Sequence, residues 1–222
     1  GDITHTFAPA TEHILPVLGL YADCDNKVEL RAYQSKPVTH TIHTDPLDEN
    51  VPELLSIETT AAYMEDNMIF LSPSMSELAT AIDYHGDIRW HLNVPTVFDI
   101  ARLKNGNLLI STDRLVRIPY YLSGLYEMTM TGKVVREYSM PGGYHHDKIE
   151  MADGNLLVLS EDLESDTVED TMVLLDRNTG EVLRTWDFSD FLVPGESKSG
   201  SWSAEDWFHC NALWYDANTN SV

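Results

Sequence analysis

The sequence is short of cations, of cysteine and of long apolar runs. Its 222 residues hold 14 Lys and Arg against 36 Asp and Glu, a formal net charge of -22. Without a basic stripe to neutralise phosphates, nucleic acid is excluded as a partner. An anionic ligand needs strong local donors here. Two cysteines, Cys24 and Cys210, are too few for a disulfide framework. A bridge between them stays open, but separate thiols are expected, with Cys210 a small buried residue in a strand. No apolar run reaches membrane-spanning length, and no secretory leader is recognisable in a chain that reads as starting inside a domain. No segment sustains a helical period, so the architecture is expected to be all-β.

What is present is a phrase that returns 48 residues later. Phe98–Ser111 (FDIARLKNGNLLIS) recurs as His146–Leu159 (HDKIEMADGNLLVL), Asp99 answered by Asp147 and Gly106 by Gly154. Asn-Gly and Asp-Gly supply the positive-φ residues of a tight hairpin. A second hairpin follows in each copy, turning at Gly132 and at Gly180, again 48 apart. An earlier copy surrounds Gly86, with Thr80–Asp83 before it and Asp87–Trp90 after it. Its first hairpin is expected over 61–71, turning at Asp66-Asn67.

Four strands in such a period is the size of a β-propeller blade. A β-sandwich is the competing reading, and it makes the shared spacing of turn glycines, polar caps and strand lengths a coincidence. The expectation is therefore about three and a half propeller blades over residues 51–222, preceded over 1–50 by part of a small β-sandwich domain and a connector. Closed propellers take roughly 4–8 blades, so the chain reads as part of a larger protein. An open blade edge invites pairing with a second copy, and a homo-oligomer is expected.

Residues that break the repeat are the candidates for chemistry. In register, Val97 corresponds to His145 and Asp99 to Asp147. Asp206-Trp207-Phe208-His209-Cys210-Asn211 opens the last copy, and aligning Asn211 with Asp147 sets His209 on the His145 column. Side chains two apart share a strand face, so His209 with Asn211, and His145 with Asp147, are expected to point together, with His146 and Cys210 turned away unless a bulge intervenes. Imidazoles and a carboxamide from neighbouring blades can donate several hydrogen bonds to one small oxyanion. His5, His13, His40, His43, His85 and His91 are read as structural. Asp99 and Asp147 have an alternative task, bonding one blade to the next.

Gly143-Tyr144-His145-His146-Asp147, the Asp153-Gly154-Asn155 hairpin and the Asp206-Trp207-x-His209-x-Asn211 block resemble the bacterial arylsulfate sulfotransferases, as does the junction at Thr39–Pro52. The resemblance implies a six-bladed propeller behind an N-terminal β-sandwich, working outside the cytoplasm (periplasm, cell surface or secreted). It implies an enzyme that moves a sulfuryl group from a phenolic sulfate ester to a phenol through a sulfohistidine, with no metal and no cofactor. By that resemblance His209 and Asn211 bind sulfuryl oxygens, with Asp147 beside them, and one of His145 and His146 does the same or assists the leaving oxygen. Its nucleophile is expected beyond Val222, so this chain alone is expected to lack turnover. Two other readings remain: a propeller that binds a ligand or partner without catalysis, and a metal-dependent hydrolase or lyase using the histidines as ligands.

Overall fold

The computed structural model describes residues 3–60, 67–72, 78–118, 121–193 and 205–222. They are all-β, built from antiparallel sheets, with one 3-10 turn at Phe188–Asp190. By contact the chain divides after Pro95 into two compact units.

In the first unit, β1 (Asp25–Leu30) and β2 (Val38–His43) form a hairpin with Asp25 opposite His43. A separate sheet has the order β3 (Ile69–Leu71), β4 (Thr80–Ile82), β5 (Ile88–His91). The expected turn at Gly86 is there, with φ +87°. Of the hairpin expected over 61–71, residues 61–66, and with them Asp66 of the turn, lie outside the described residues. Arg89 of β5 is buried. It bonds Asp83 at 2.7 Å, donates from Nε to the Gly19 carbonyl at 2.9 Å and lies 3.8 Å from the Tyr21 ring centroid. One guanidinium thereby pins the segment ahead of β1 to the β4–β5 hairpin.

The second unit carries the two repeats. The first runs β6 (Ala101–Arg102), β7 (Leu108–Ser111), β8 (Leu115–Arg117), β9 (Tyr121–Met128), β10 (Val134–Tyr144), in the sheet order β10-β9-β7-β6 with β8 on β9. The second is a four-stranded meander, β11 (Lys148–Glu150), β12 (Leu156–Ser160), β13 (Thr171–Leu175), β14 (Val182–Asp187). Gly106 and Gly154 turn the first hairpins at φ +87° and +91°. Gly132 and Gly180 turn the second ones at +84° and +80°. The period in the sequence is thus a period in backbone conformation.

The strand β12 is buried along its whole length. Leu156 and Val158 pack toward the preceding sheet, against Leu109, Leu125, Tyr138 and Tyr144. Leu157 and Leu159 face the other way, with Met172 and Leu213. Strand alternation has given one strand two apolar faces. Between the two sheets sits one polar knot. Glu127 accepts from Asn105 (2.9 Å), Asn107 (2.6 Å), Tyr138 (2.9 Å) and Arg177 (2.7 Å), and Arg177 also bonds Glu150 at 2.7 Å. Burial alone would raise the Glu127 carboxyl. The bonds from Arg177, Asn107, Asn105 and Tyr138 outweigh it and hold the group at about 2.

Truncating the two-faced strand should be costly. Leu156→Ala is expected to lower unfolding free energy by about 2–5 kcal/mol, read from denaturant midpoints. The Glu127 knot predicts an acid limb. Its pKa is depressed on folding, so its stabilisation is present above the ordinary carboxylate range and lost as pH falls through about 2. Glu127→Gln should lower stability at neutral pH and flatten the decline below about pH 4.

Candidate functional site

The site is built where β10 ends and β11 begins. Gly142 lets the end of β10 run against the segment after β12, since a Cβ there would sit 1.3 Å from the Glu161 carbonyl oxygen. Next come His145, His146 and Asp147. The Asp147 N–H donates to the His145 carbonyl at 2.8 Å across His146, whose φ is +54°. That is a γ-turn centred on a non-glycine residue, an uncommon and strained conformation. Tyr144 donates its hydroxyl to the His146 carbonyl at 2.8 Å, and Lys148, its ammonium fully buried, bonds the Asp99 carboxylate. The turn is therefore held from below.

Two other segments reach the same place. The acidic loop after β12 ends in Glu169 and Asp170, both 1% exposed, with Glu169 at φ +60°. The segment Glu205–Leu213 lies on that loop. Trp207 donates to Asp170 at 2.7 Å, the Val168 N–H to the Glu205 carbonyl at 3.0 Å, and the Cys210 N–H to the Glu169 carbonyl at 3.1 Å. This brings His209, at φ +52°, to the cluster. His209 Nδ1 lies 2.8 Å from Asp206 Oδ2 and 2.9 Å from Glu169 Oε2. Glu169 Oε2 also stands 3.6 Å from His146 Nε2, while Oε1 accepts from the Tyr121 hydroxyl at 2.9 Å. The His145 and His146 ring centroids are 5.4 Å apart, and those of His146 and His209 are 5.8 Å apart.

Proton positions follow from the partners. The atoms facing His209 Nδ1 are carboxylate oxygens, so that nitrogen carries the hydrogen. His145 Nε2 lies 2.8 Å from the Ser160 carbonyl and must donate to it. Its Nδ1 is then a lone pair, buried and without a hydrogen-bond partner among the described residues. Burial pushes the His145 pKa down to about 4, against the raising influence of the Ser160 carbonyl and Glu169. Burial is also the largest influence on Glu161 and Asp170, whose pKa values are raised despite Arg117 and Trp207 respectively.

Residues 54–222 match the family described as Arylsulfotransferase (ASST), and residues 1–46 match the Arylsulfotransferase Ig-like domain. The chain belongs to the arylsulfotransferase family. No curated protein matches the sequence. Among solved structures, a protein of unknown function from Bacteroides caccae is 16% identical over 51% of this chain, with a TM-score of 0.38. The chain spans 39% of that protein's length, and a likeness at that level carries no argument.

In this chain the three expected histidines come together, but not in the expected register. Positive φ marks Phe98, His146 and His209 alike. His209 thus shares a column with His146 and Phe98, not with His145 and Val97. Strand alternation does not carry through these turns, so His146 joins the cluster in place of turning away. Asn211 is exposed and donates to the His209 carbonyl at 3.0 Å. Asp147 accepts from the Lys148 and Leu213 amides, each at 2.7 Å. Both side chains are engaged by backbone and do not meet the imidazoles. Cys210 lies in no strand and is half-buried, its thiol pushed up to about 11 by burial. The sequence reading missed Glu169 and Tyr121 altogether. Asp206 stood inside the quoted motif with no role assigned. Glu169 had one signal, an acidic pair ending a polar loop directly before a strand.

The tautomer and neutrality of His145 are testable by NMR. Its Nδ1 should show the shift of an unprotonated nitrogen near neutral pH, and the ring should not titrate until pH approaches 4. Because its pKa is depressed, the linked stability is lost as pH falls from the ordinary histidine value of about 6.5 toward 4.

Proposed function

We propose that the chain contributes donor groups to the site of an arylsulfate sulfotransferase, in which a sulfuryl group passes from a phenolic ester to a phenol by way of a sulfohistidine. The observation that carries this reading is the convergence of His146 and His209 within one family-matched unit, each at a strained turn. In the first step a histidine nitrogen lone pair attacks sulfur, the bond from sulfur to the aryl oxygen breaks and phenolate leaves. In the second a phenol oxygen attacks sulfur, the sulfur–nitrogen bond breaks and the phenol's proton passes to a base. Phenolate is a fair leaving group, its conjugate acid having a pKa of about 10.

The transferred group is anionic throughout, so donors around its oxygens carry much of the catalysis. His209 suits this task. Its Nδ1 proton is held by Asp206 and Glu169, which orients the ring, and donation from Nε2 to a sulfuryl oxygen takes the imidazolium form, with both ring nitrogens protonated. His146 stands beside it as the second candidate donor. His145 does not donate from Nδ1 in its neutral form, and we assign it to positioning, fixed by the Ser160 carbonyl. Asp147 is likewise a positioning residue, seating the segment that carries His209. The nucleophile belongs, on this reading, to residues outside this chain. We place the parent protein outside the cytoplasm by the same resemblance, and no helix of the described residues is long and apolar enough to cross a membrane.

The test uses the full-length protein with 4-nitrophenyl sulfate as donor. Release of 4-nitrophenol should require an added phenol, and His209→Ala should lower the rate by roughly 10²–10³, the usual cost of one oxyanion donor. No acceptor-dependent release across several donors and acceptors would leave the chain a binding module. An unchanged rate in the variant would remove His209 from the mechanism.

A further inference from the structure

We infer that Tyr121 is a positioning residue for sulfuryl transfer, acting on His209 through Glu169. The role presupposes the transferase reading, while the coupling between the three side chains is a matter of atoms already in place. The Tyr121 hydroxyl donates to Glu169 Oε1 at 2.9 Å, and the other oxygen of the same carboxylate stands 2.9 Å from His209 Nδ1. Tyr121 and Glu169 lie 48 residues apart, one full period of the repeat. Equivalent positions of successive copies have therefore become a donor and an acceptor, bonded to each other.

Tyr121 is suited to hold a carboxylate still. It is buried at the start of β9, where it pairs with Arg117 of β8, and the Arg117 guanidinium lies 6.0 Å from its ring centroid. Its ring meets the His145 ring edge-on, the centroids 6.1 Å apart. Tyrosine turns about only two χ angles, so a phenol packed in this way presents its hydroxyl in a fixed direction. The glutamate side chain has more rotamer freedom to lose. Its carboxylate is planar, so a bond that fixes Oε1 also fixes where Oε2 lies. That second oxygen is the one that meets His209 Nδ1 and stands 3.6 Å from His146 Nε2.

The seating of the His209 segment does not depend on this hydroxyl. Trp207 bonds Asp170, the Val168 N–H bonds the Glu205 carbonyl and the Cys210 N–H bonds the Glu169 carbonyl. Asp206 meets His209 Nδ1 from within the segment at 2.8 Å. These contacts dock the chain, and what Tyr121 adds is the direction of one carboxylate and, through it, of the imidazole. Direction matters for an oxyanion donor, which works only when aimed at the place where charge develops. A small misplacement of such a group costs rate even where the fold is intact. A purely structural hydroxyl would instead change stability and leave the surroundings of the His209 ring as they are.

The experiment has two arms. In the full 222-residue chain, NMR correlations from the ring carbon-bound protons report both ring nitrogens of His209, assigned by their loss in His209→Gln. Tyr121→Phe keeps the packed ring and removes the donor, and it should shift the Nδ1 signal, as should Glu169→Gln. Tyr126→Phe, which removes a hydroxyl bonded to Asp113 from the same strand, should leave that signal in place. Circular dichroism of each variant controls for folding. In the full-length protein, with 4-nitrophenyl sulfate and an added phenol, Tyr121→Phe should lower kcat/KM by about tenfold and Glu169→Gln by up to about a hundredfold, the range lost when a group that orients a functional imidazole is altered. The double variant should fall no further than Glu169→Gln alone, because the hydroxyl acts through the carboxylate. An unmoved Nδ1 signal in Tyr121→Phe, or losses that multiply in the double variant, would overturn the inference. The nitrogen shifts decide the coupling even where no acceptor-dependent transfer is seen, an outcome that would sink the transferase reading alone.

Discussion

The two-sided burial of β12 constrains everything else in the second unit. A strand with apolar packing on both faces has no place along its length for a ligand-binding polar group. Leu156 and Val158 fill one side, Leu157 and Leu159 the other, and polar atoms first appear at Ser160. Chemistry is therefore confined to strand ends. There the ladder stops, backbone groups seek other partners, and the chain can adopt conformations that a pleated strand forbids. The γ-turn at His146 lies at such an end, between β10 and β11, and it is tied to β12 by the Leu159 N–H bonding the Asp147 carbonyl at 3.0 Å.

Confinement to one end also explains the electrostatics. Loop residues that must be buried there bring carboxylates, and each carboxylate is met by a hydrogen-bond donor. Glu127 shows the outcome when donors are in excess: its pKa falls to about 2. Glu161 and Asp170 show the opposite outcome, desolvated with too few donors and raised. Glu169 is touched by Tyr121, His146 and His209. On the proposed reading the same atoms orient His209 for an anionic ester.

Much of the fold was legible because hairpin turns leave a chemical mark. Asn-Gly and Asp-Gly occur where φ is positive, and counting between glycines recovered the sheet pairs of the second unit before any coordinates. The site was legible only in part. His145, His146 and His209 stood out as histidines at strand starts in a repeated context. The rule of alternating faces then misplaced His146, because that rule holds only while the pleat continues, and a positive φ at a non-glycine residue has no sequence signature of its own. Glu169 was hidden for another reason. Its counterpart one period earlier is Tyr121, so the repeat offered no carboxylate to compare it with. Its importance comes from Trp207 and Asp170, a pair 37 residues apart in sequence that seats the Asp206–His209 segment on the loop.

The column Phe98, His146, His209 shows how a repeat acquires a site. All three residues share the positive-φ turn, and their rings follow one another at 4.6 Å and 5.8 Å. Phe98 meets the Tyr144 ring edge-on at 5.6 Å. The first use of the position is therefore packing: an aromatic ring closes the end of the apolar layer. Replacing that ring by imidazole keeps a flat group of similar reach and adds two nitrogens at its edge. The scaffold already bears the cost of the turn, through the Tyr144 hydroxyl and the bond from buried Lys148 to the half-exposed Asp99. Polar function thus enters without redesign of the sheets. It enters where two successive copies carry imidazole and a carboxylate, standing where the earlier copy has Tyr121, falls between them.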